Sequence, residues 1–388
     1  MGAHGLDLPS QSLGDNLRGG AWRPGGVHHS NQFSGQSASS LVSPSAASIG
    51  APLQRRLTMV RKIPVDPFLA VMLGAIALAS FAPAHGKAEV VFDGLSTVGV
   101  SLLFLLHGAA LKRRDLWAGA RQWRLHLVIF SLTFVAFPIL TYPFALLPAG
   151  LLPPNLALGF VYLGVLPSAV SSSIAFTAMA RGNVPGAICS AAASNVFGLL
   201  LTPLLLAAIM GASASGAFDI GATLHEVALE MLAPFAVGQL LHPYLARVMA
   251  RRSAWLARYD QSVIILIVYT AFSKSVREGL WTQLPLHTLA LAIVMCMALL
   301  GAVFGTAMLV SRRLRFSRED EIAAVFCGSK KSLASGLPLA QVLFGGAPGL
   351  GMIVLPIMLY NQIQILAGAA LAKRYAQVAA PMEQPATS

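Results

Sequence analysis

The sequence predicts an all-α polytopic membrane protein of ten transmembrane helices, and three observations predict it. Apolar residues make up 56% of the 388 and charged residues only 11%, too few to cover a soluble surface, and the mean hydropathy is +0.69. No Asp, Glu, Lys or Arg occurs between Arg124 and Arg181, between Arg181 and Asp219, or between Lys331 and Lys373. Each interval is long enough for one or two spans of about 20 residues. The basic residues collect in alternate gaps between the apolar segments, as the positive-inside rule requires. A β-barrel would instead alternate apolar and polar residues over strands of about ten residues.

Residues 1–58 differ in character. Stretches such as VHHSNQFSGQSASS are rich in Gly, Ser, His and Asn, carry no periodicity, and are expected to be disordered. The segment has no charged start followed by an apolar core, so it is not a secretory signal, and Leu6 breaks the myristoylation pattern after Gly2. The run MVRKIPVDPF from Met59 looks like an ordinary bacterial start just ahead of a first span, so a true start near Met59 is expected. A ten-helix domain then fills 59–375, and 376–388 is a cytoplasmic tail.

The spans fall at 67–83, 93–111, 125–147, 156–179, 184–210, 221–246, 259–275, 286–311, 321–344 and 350–372. With the amino terminus inside, the inner loops hold twenty basic residues, from Arg55 to Arg374, against Lys87, Lys274 and Arg277 outside. Both termini are therefore expected on the cytoplasmic side of a bacterial inner membrane. The net charge of +12 follows from this topology and from contact with anionic lipid. Nucleic acid is not an expected partner, because the basic residues are scattered over six short loops without a recognition motif. Cys189, Cys296 and Cys327 all lie in apolar segments, without the spacing of a metal site or a disulfide scaffold.

A faint internal repeat relates the two halves. Phe92–Asp93 opens span two and Tyr259–Asp260 opens span seven, while Ser173-Ile174-Ala175 in span four aligns with Ser332-Leu333-Ala334 in span nine. Five spans per copy make the second copy inverted, a design that points to secondary transport with its site at matched, interrupted helices.

Span nine holds the most unusual residues of the chain. Lys330 and Lys331 stand at mid-depth of a segment about 36 Å long as a helix, where an ammonium is unfavourable unless it faces partners or water. Gly328 and Gly336 flank the pair. In span four, Pro167 removes a backbone donor, and Ser171, Ser172 and Ser173 can bond to backbone freed by a break. If both helices break and cross, their inner termini point into one cavity suited to an ion or an anion. The alternative for the serines is close helix packing.

Three stretches carry a family resemblance: FLLHGAALKRRDL at 104–116, SSSIAFTAMARGNVPGAI with LLLTPLL downstream at 171–205, and CGSKKSLASGLPLAQVLFGG at 327–346. Over about residues 60–375 the chain resembles the bile acid:sodium symporter superfamily, in the branch that groups with its atypical seventh mammalian member. The resemblance implies a panel domain of spans one, two, six and seven beside a core of the other six, in which broken helices four and nine cross. Substrate would lie between the domains and move by rocking of one against the other. Sodium-coupled relatives carry Ser–Asn in span four and Glu-Val-Gly-Met-Gln-Asn in span nine. Here Ser173 keeps the serine, whereas Ile174, Phe326, Lys330 and Lys331 replace other positions of the pattern. Two cations repel sodium and the missing carboxylate removes a hard ligand, so the coupling ion, Na+ or H+, stays open.

The expected function is secondary transport of a small organic anion, with the bilayer as second partner and a homodimer left open. Its substrate- and ion-binding residues are Ser171, Ser172, Ser173, Asn195, Ser329, Lys330, Lys331, Ser332, Asn361 and Gln362, with no catalytic residue, metal or cofactor. The lysines could replace the coupling cation, carry a proton, or bind the anion; alternatively Lys330 pairs with Glu226 or Glu230 and only holds the fold. His107 reads as structural, and Asp93 and Asp260 read as helix-start residues. Two other classes are a regulator of ion homeostasis and a Ser–Lys intramembrane hydrolase built on Lys331 and Ser332, or on a span-four serine beside a span-nine lysine, the latter class lacking a GxSxG turn.

Overall fold

The computed structural model describes residues 67–111, 122–211 and 220–378, and the described residues are predominantly α-helical, without a strand. The extension at 1–58, the basic cluster at 112–114 and Asp219 lie outside them. The helices are α1 (Pro67–Phe81), α2 (Lys87–Ala110), α3 (Trp123–Ala145), α4 (Pro154–Val165), α5 (Val170–Met179), α6 (Val184–Gly211), α7 (220–251), α8 (Ser253–Arg277), α9 (Leu280–Gln283), α10 (Leu286–Arg313), α11 (Arg318–Ser329), α12 (Leu333–Phe344) and α13 (Leu350–Val378). Short π-helical turns at Leu132–Ala136 and Ala228–Leu232 interrupt α3 and α7.

Five helices, α2, α3, α6, α10 and α13, are each long and apolar enough to cross a bilayer. Large apolar side chains such as Ile139, Leu240 and Val294 are exposed, while Thr133, Ser168, Lys330, Lys331 and Gln364 are buried. That distribution is the reverse of a soluble protein's and fits a lipid-facing exterior.

Several helices extend beyond their apolar stretches. α2 starts at Lys87 and α8 at Ser253, each six residues before the expected edge, because hydropathy marks the apolar boundary whereas KAEVVF and SAWLAR continue the helix past it. Asp93 and Asp260 consequently sit inside helices and cap neither. α13 likewise runs to Val378, past the expected start of the tail at 376.

The helices pack in two sets. α2 lies along α7, and α8 packs on α1 and α2; in the other set, α4 packs on α3 and α13, α5 on α6 and α11, and α10 on α11 and α13. α8 joins the sets through α12 and α13. The α2–α7 contact is backbone against backbone, since a Cβ on Gly238 would lie 2.0 Å from the Leu105 carbonyl oxygen and one on Gly108 would lie 2.2 Å from that of Phe235. Gln239 Nε2 then reaches the carbonyls of Gly108 (2.5 Å) and Leu111 (3.0 Å) across the same contact.

Gly238→Val should part α2 from α7 and destabilise the protein by about 3 kcal/mol or more, read as lost monodispersity and a lowered thermal midpoint in detergent. Gly301→Ala, which meets no atom within 4 Å, should leave that midpoint unchanged or slightly raised.

Candidate functional site

Two breaks in helical structure meet in the middle of the second set. The chain leaves α4 at Leu166 and enters α5 at Ala169, both extended; it leaves α11 at Lys330 and enters α12 at Ser332, again extended. Pro167 cannot donate within a helix, which localises the first break. The two extended segments pair antiparallel at Ser168 and Lys331. Ala169 N donates to the Lys330 carbonyl (3.2 Å) and Ser332 N to that of Pro167 (3.0 Å).

The side chains around this crossing satisfy backbone that no helix serves. Ser168 N donates to Ser194 Oγ (3.0 Å), Ser168 Oγ to the Cys327 carbonyl (2.6 Å) and Asn195 Nδ2 to the Ser168 carbonyl (2.7 Å). Gln364 brackets Lys331, accepting from its N–H (2.9 Å) and donating to its carbonyl (3.0 Å). Tyr360 OH donates to the Ser329 carbonyl (2.8 Å) and Tyr162 OH to that of Gly336 (2.6 Å). Unsatisfied backbone is intolerable at this depth, so each bond holds the breaks in their shape.

Lys331 is completely buried and its ammonium is fully committed. Nζ donates to the carbonyls of Gly164 (2.7 Å), Leu166 (2.7 Å) and Thr133 (3.0 Å), one acceptor for each of its three protons, and lies 4.0 Å from the centre of the Phe137 ring. Those carbonyls are available for definite reasons. Gly164 and Leu166 end α4, where carbonyls lack helical donors and the helix dipole is negative. In the π turn of α3, Phe137 N donates to Leu132 instead of Thr133, and the next residue, Pro138, has no N–H. Lys331 therefore plugs a cation site made entirely of backbone oxygen.

Lys330 is equally buried but less tightly held. Its Nζ donates to the Gln364 carbonyl (3.2 Å) and lies 4.0 Å from the Phe176 ring centre; a Cβ on Gly368 would come within 3.0 Å of it. Neither Glu226 nor Glu230 is the partner expected of it. Ser332 Oγ accepts from Ser335 N (3.1 Å) and meets Ser335 Oγ (3.1 Å), so it caps α12. With Lys331 bound to carbonyls and Ser332 to its cap, the described contacts contain no Ser–Lys dyad.

Beside the crossing lies a cavity of about 610 Å³ between the two helix sets. One wall is built from Phe104, His107, Phe235, Asp260 and Ile264, and the other from Ser171, Ser172, Asn195, Ser332, Ser335 and Asn361. The amino-terminal residues of both α5 and α12 border it, as do Leu111 and Leu256 at the α2 and α8 ends that adjoin basic loops. At the opposite end, α8 is tied to α12 and α13: Lys274 Nζ donates to the Gly345 carbonyl (2.9 Å), and Glu278 and Ser275 accept from Gly349 N (2.6 Å) and Gly351 N (2.8 Å).

Of the ten residues expected to form the site, Ser171, Ser172, Asn195, Ser332 and Asn361 border this cavity. Ser173, Ser329, Lys330 and Lys331 are buried behind it: Ser173 Oγ donates to the Phe326 carbonyl (3.2 Å) and Ser329 Oγ to that of Val325 (2.5 Å). Gln362 is half-buried on α13 and does not line the cavity. Sequence reasoning missed Ser168 and Ser335, marked Gln364 of span ten as a residue either for the cavity or for interhelical hydrogen bonds, of which it makes the latter, and favoured structural roles for His107 and Asp260. The spacing of Ser332 and Ser335 was a usable capping signal; Ser168 had none beyond being polar in an apolar run.

Broken, crossing helices beside a cavity, within an all-helical chain that faces lipid, make this a multi-pass membrane transporter. Residues 66–377 match the family model described as the SBF-like CPA transporter family, and the chain belongs to that family. It is 46% identical over 313 residues to "Uncharacterized protein PA2026" of Pseudomonas aeruginosa and 43% identical over 313 residues to "Putative symporter YfeH" of Escherichia coli, each comparison covering 80% of this chain and 93% of the relative. It is 28% identical over 330 residues to "Sodium/bile acid cotransporter 7" of Rattus norvegicus, covering 82% and 93%. The family and its named relatives are of the bile acid:sodium symporter type, a transporter class rather than a hydrolase class.

Lys331→Met should strand three buried carbonyls and lower stability by about 3 kcal/mol, whereas Lys330→Met, losing a single hydrogen bond, should lower it by about 1 kcal/mol. Thermal unfolding of the purified variants in one detergent ranks the two.

Proposed function

We propose that this protein is a secondary carrier of a small organic anion that works by alternating access, without sodium at the crossing. The observation that carries the reading is the convergence of the α5 and α12 amino termini on a cavity between two helix sets. Helix amino termini present free N–H groups and a positive dipole, and Ser171, Ser172, Asn195 and Asn361 add neutral hydrogen-bonding groups around them. Apolar neighbours such as Phe104, Phe235 and Ile264 suit the hydrocarbon part of an amphipathic anion.

Ten membrane crossings in two inverted halves follow on this reading: α4 with α5 count as one crossing and α11 with α12 as its counterpart, and α9 does not cross. α1, α2, α7 and α8 form the panel, and the remaining helices form the core. The distribution of basic loops supports both termini on the cytoplasmic side of a bacterial inner membrane; in that orientation the cavity opens to the cytoplasm and the ties from α8 to α12 and α13 close the outer side. Transport requires those ties to part while the cytoplasmic mouth shuts.

Lys331 explains how the carrier dispenses with sodium. Its ammonium presents to Gly164, Leu166 and Thr133 the single positive charge that a bound cation would bring, but it is covalently tethered and does not leave. A tethered charge holds the crossing in every state and carries no ion gradient into the cycle.

The test is uptake by proteoliposomes of labelled carboxylate and sulfonate anions, with taurocholate among them. Saturable uptake that is unchanged when choline replaces sodium is expected, with no sodium-specific stabilisation of the wild type. Lys331→Ala, with its carbonyl cage emptied, should gain a sodium-specific rise in thermal midpoint. Such a rise in the wild type, or a strict sodium requirement for uptake, would overturn the sodium-free reading.

A further inference from the structure

The carrier reading leaves one pair of cavity residues without a role. Among the described residues that line the cavity, His107 on α2 and Asp260 on α8 are the only ionisable ones. His107 Nε2 meets Asp260 Oδ2 at 3.2 Å, and both side chains are partly open to the cavity, at 32% and 21% exposure. The second carboxylate oxygen, Oδ1, is buried and has no hydrogen-bond partner among the described residues. A carboxylate that lacks a partner at one oxygen, in an apolar wall, is poorly compensated.

We propose that His107 and Asp260 form the proton-binding site of the transport cavity, and that the carrier is thereby coupled to protons. This rests on the cavity being the transport path. With His107 neutral, the wall carries the single negative charge of Asp260, which opposes entry of an anion. A proton from the cavity water that adds to the free imidazole nitrogen gives an imidazolium against the carboxylate, with the Nε2–H still donated to Oδ2, and no other bond changes. The wall then has no net charge, so anion and proton bind together and each favours the other.

The surroundings supply no competing charge among the described residues. α5, α6, α12 and α13 contribute only neutral polar groups, Ser171, Ser172, Asn195, Ser332, Ser335 and Asn361. α7 contributes His242, which is engaged with the Ala109 carbonyl (2.8 Å), and α8 contributes Tyr259, which donates to the Gly99 carbonyl (3.0 Å). Arg258 is exposed on α8. The two membrane lysines are bound to backbone carbonyls away from the cavity.

The experiment needs no cargo. Spin labels at Ala178→Cys on α5 and Ala254→Cys on α8, both exposed near the cytoplasmic mouth, report the opening of the full-length protein in proteoliposomes by pulsed EPR, with the three buried native cysteines replaced. Between an acidic and an alkaline buffer, the ratio of short- to long-distance populations should change by at least about threefold. His107→Gln and Asp260→Asn should each flatten that response while remaining monodisperse, and Asp260→Glu should retain it. Two populations in a pH-independent ratio, or an undiminished response in His107→Gln, would overturn proton coupling and leave the carrier standing. A single distance at every pH and with every anion of the uptake panel would remove the carrier reading as well.

Discussion

The ammonium of Lys331 holds three separate elements to one point. Its three acceptors come from the end of α4, from the break that follows, and from the π turn of α3, while its own backbone is fixed by Gln364 of α13. None of these carbonyls is satisfied by its own helix, and the residues that carry them are buried. The arrangement is mutually dependent: a buried ammonium without carbonyls is as unfavourable as the carbonyls without an ammonium. Once that point is fixed, Ser168 and Lys331 can pair across the crossing, and the amino termini of α5 and α12 are set side by side at the cavity floor.

The crossing separates charge by function. Positive charge is held behind the break: Lys331 meets the carbonyl end of α4 and Lys330 a carbonyl of α13, while the carbonyls at the end of α11 accept from the hydroxyls of Ser173, Ser168 and Tyr360. The amide ends of α5 and α12 border the cavity. The cavity receives the field of two helix dipoles and of buried lysines without contacting a lysine side chain. On the proposed reading, such a lining would hold an anion through backbone and neutral side chains, which release it more readily than a direct ion pair.

Much of this was legible in the sequence because it rests on composition. A lysine pair in a charge-free interval, a proline beside a serine run, and basic residues in alternate loops are local signals, and the helical architecture follows from hydropathy. What was not legible depends on contacts between distant segments. The π turn of α3 has no pattern of its own, and its meaning comes from a lysine almost two hundred residues away. The lysines were placed in the cavity, yet they point behind it, because burial alone does not reveal which side of a broken helix a residue faces. Asp260 was read as a helix-start residue because apolar boundaries were equated with helix ends; the seven residues of α8 that precede it move it from a cap into a cavity wall.

On the proposed reading, the two charged features divide the requirements of coupling between them. A coupling ion in a carrier both stabilises the binding conformation and enters and leaves with the cargo. Lys331 can perform only the first task, because it never leaves its carbonyls. The second requires a group that water reaches and whose charge changes within the cycle, and such a group must sit on the wall that moves relative to the crossing. His107 and Asp260 meet both conditions: they belong to α2 and α8, in the helix set opposite the breaks, and they border the cavity from that side. If transport rocks that wall toward the crossing, the motion removes water from the pair and brings its charge toward the α5 and α12 amino termini. A carboxylate left uncompensated would resist that closure, and an imidazolium beside it relieves the resistance. Under the proposed coupling, protonation at one wall would in this way be linked to closure around an anion held at the other, while the fixed ammonium maintains the surface on which they meet.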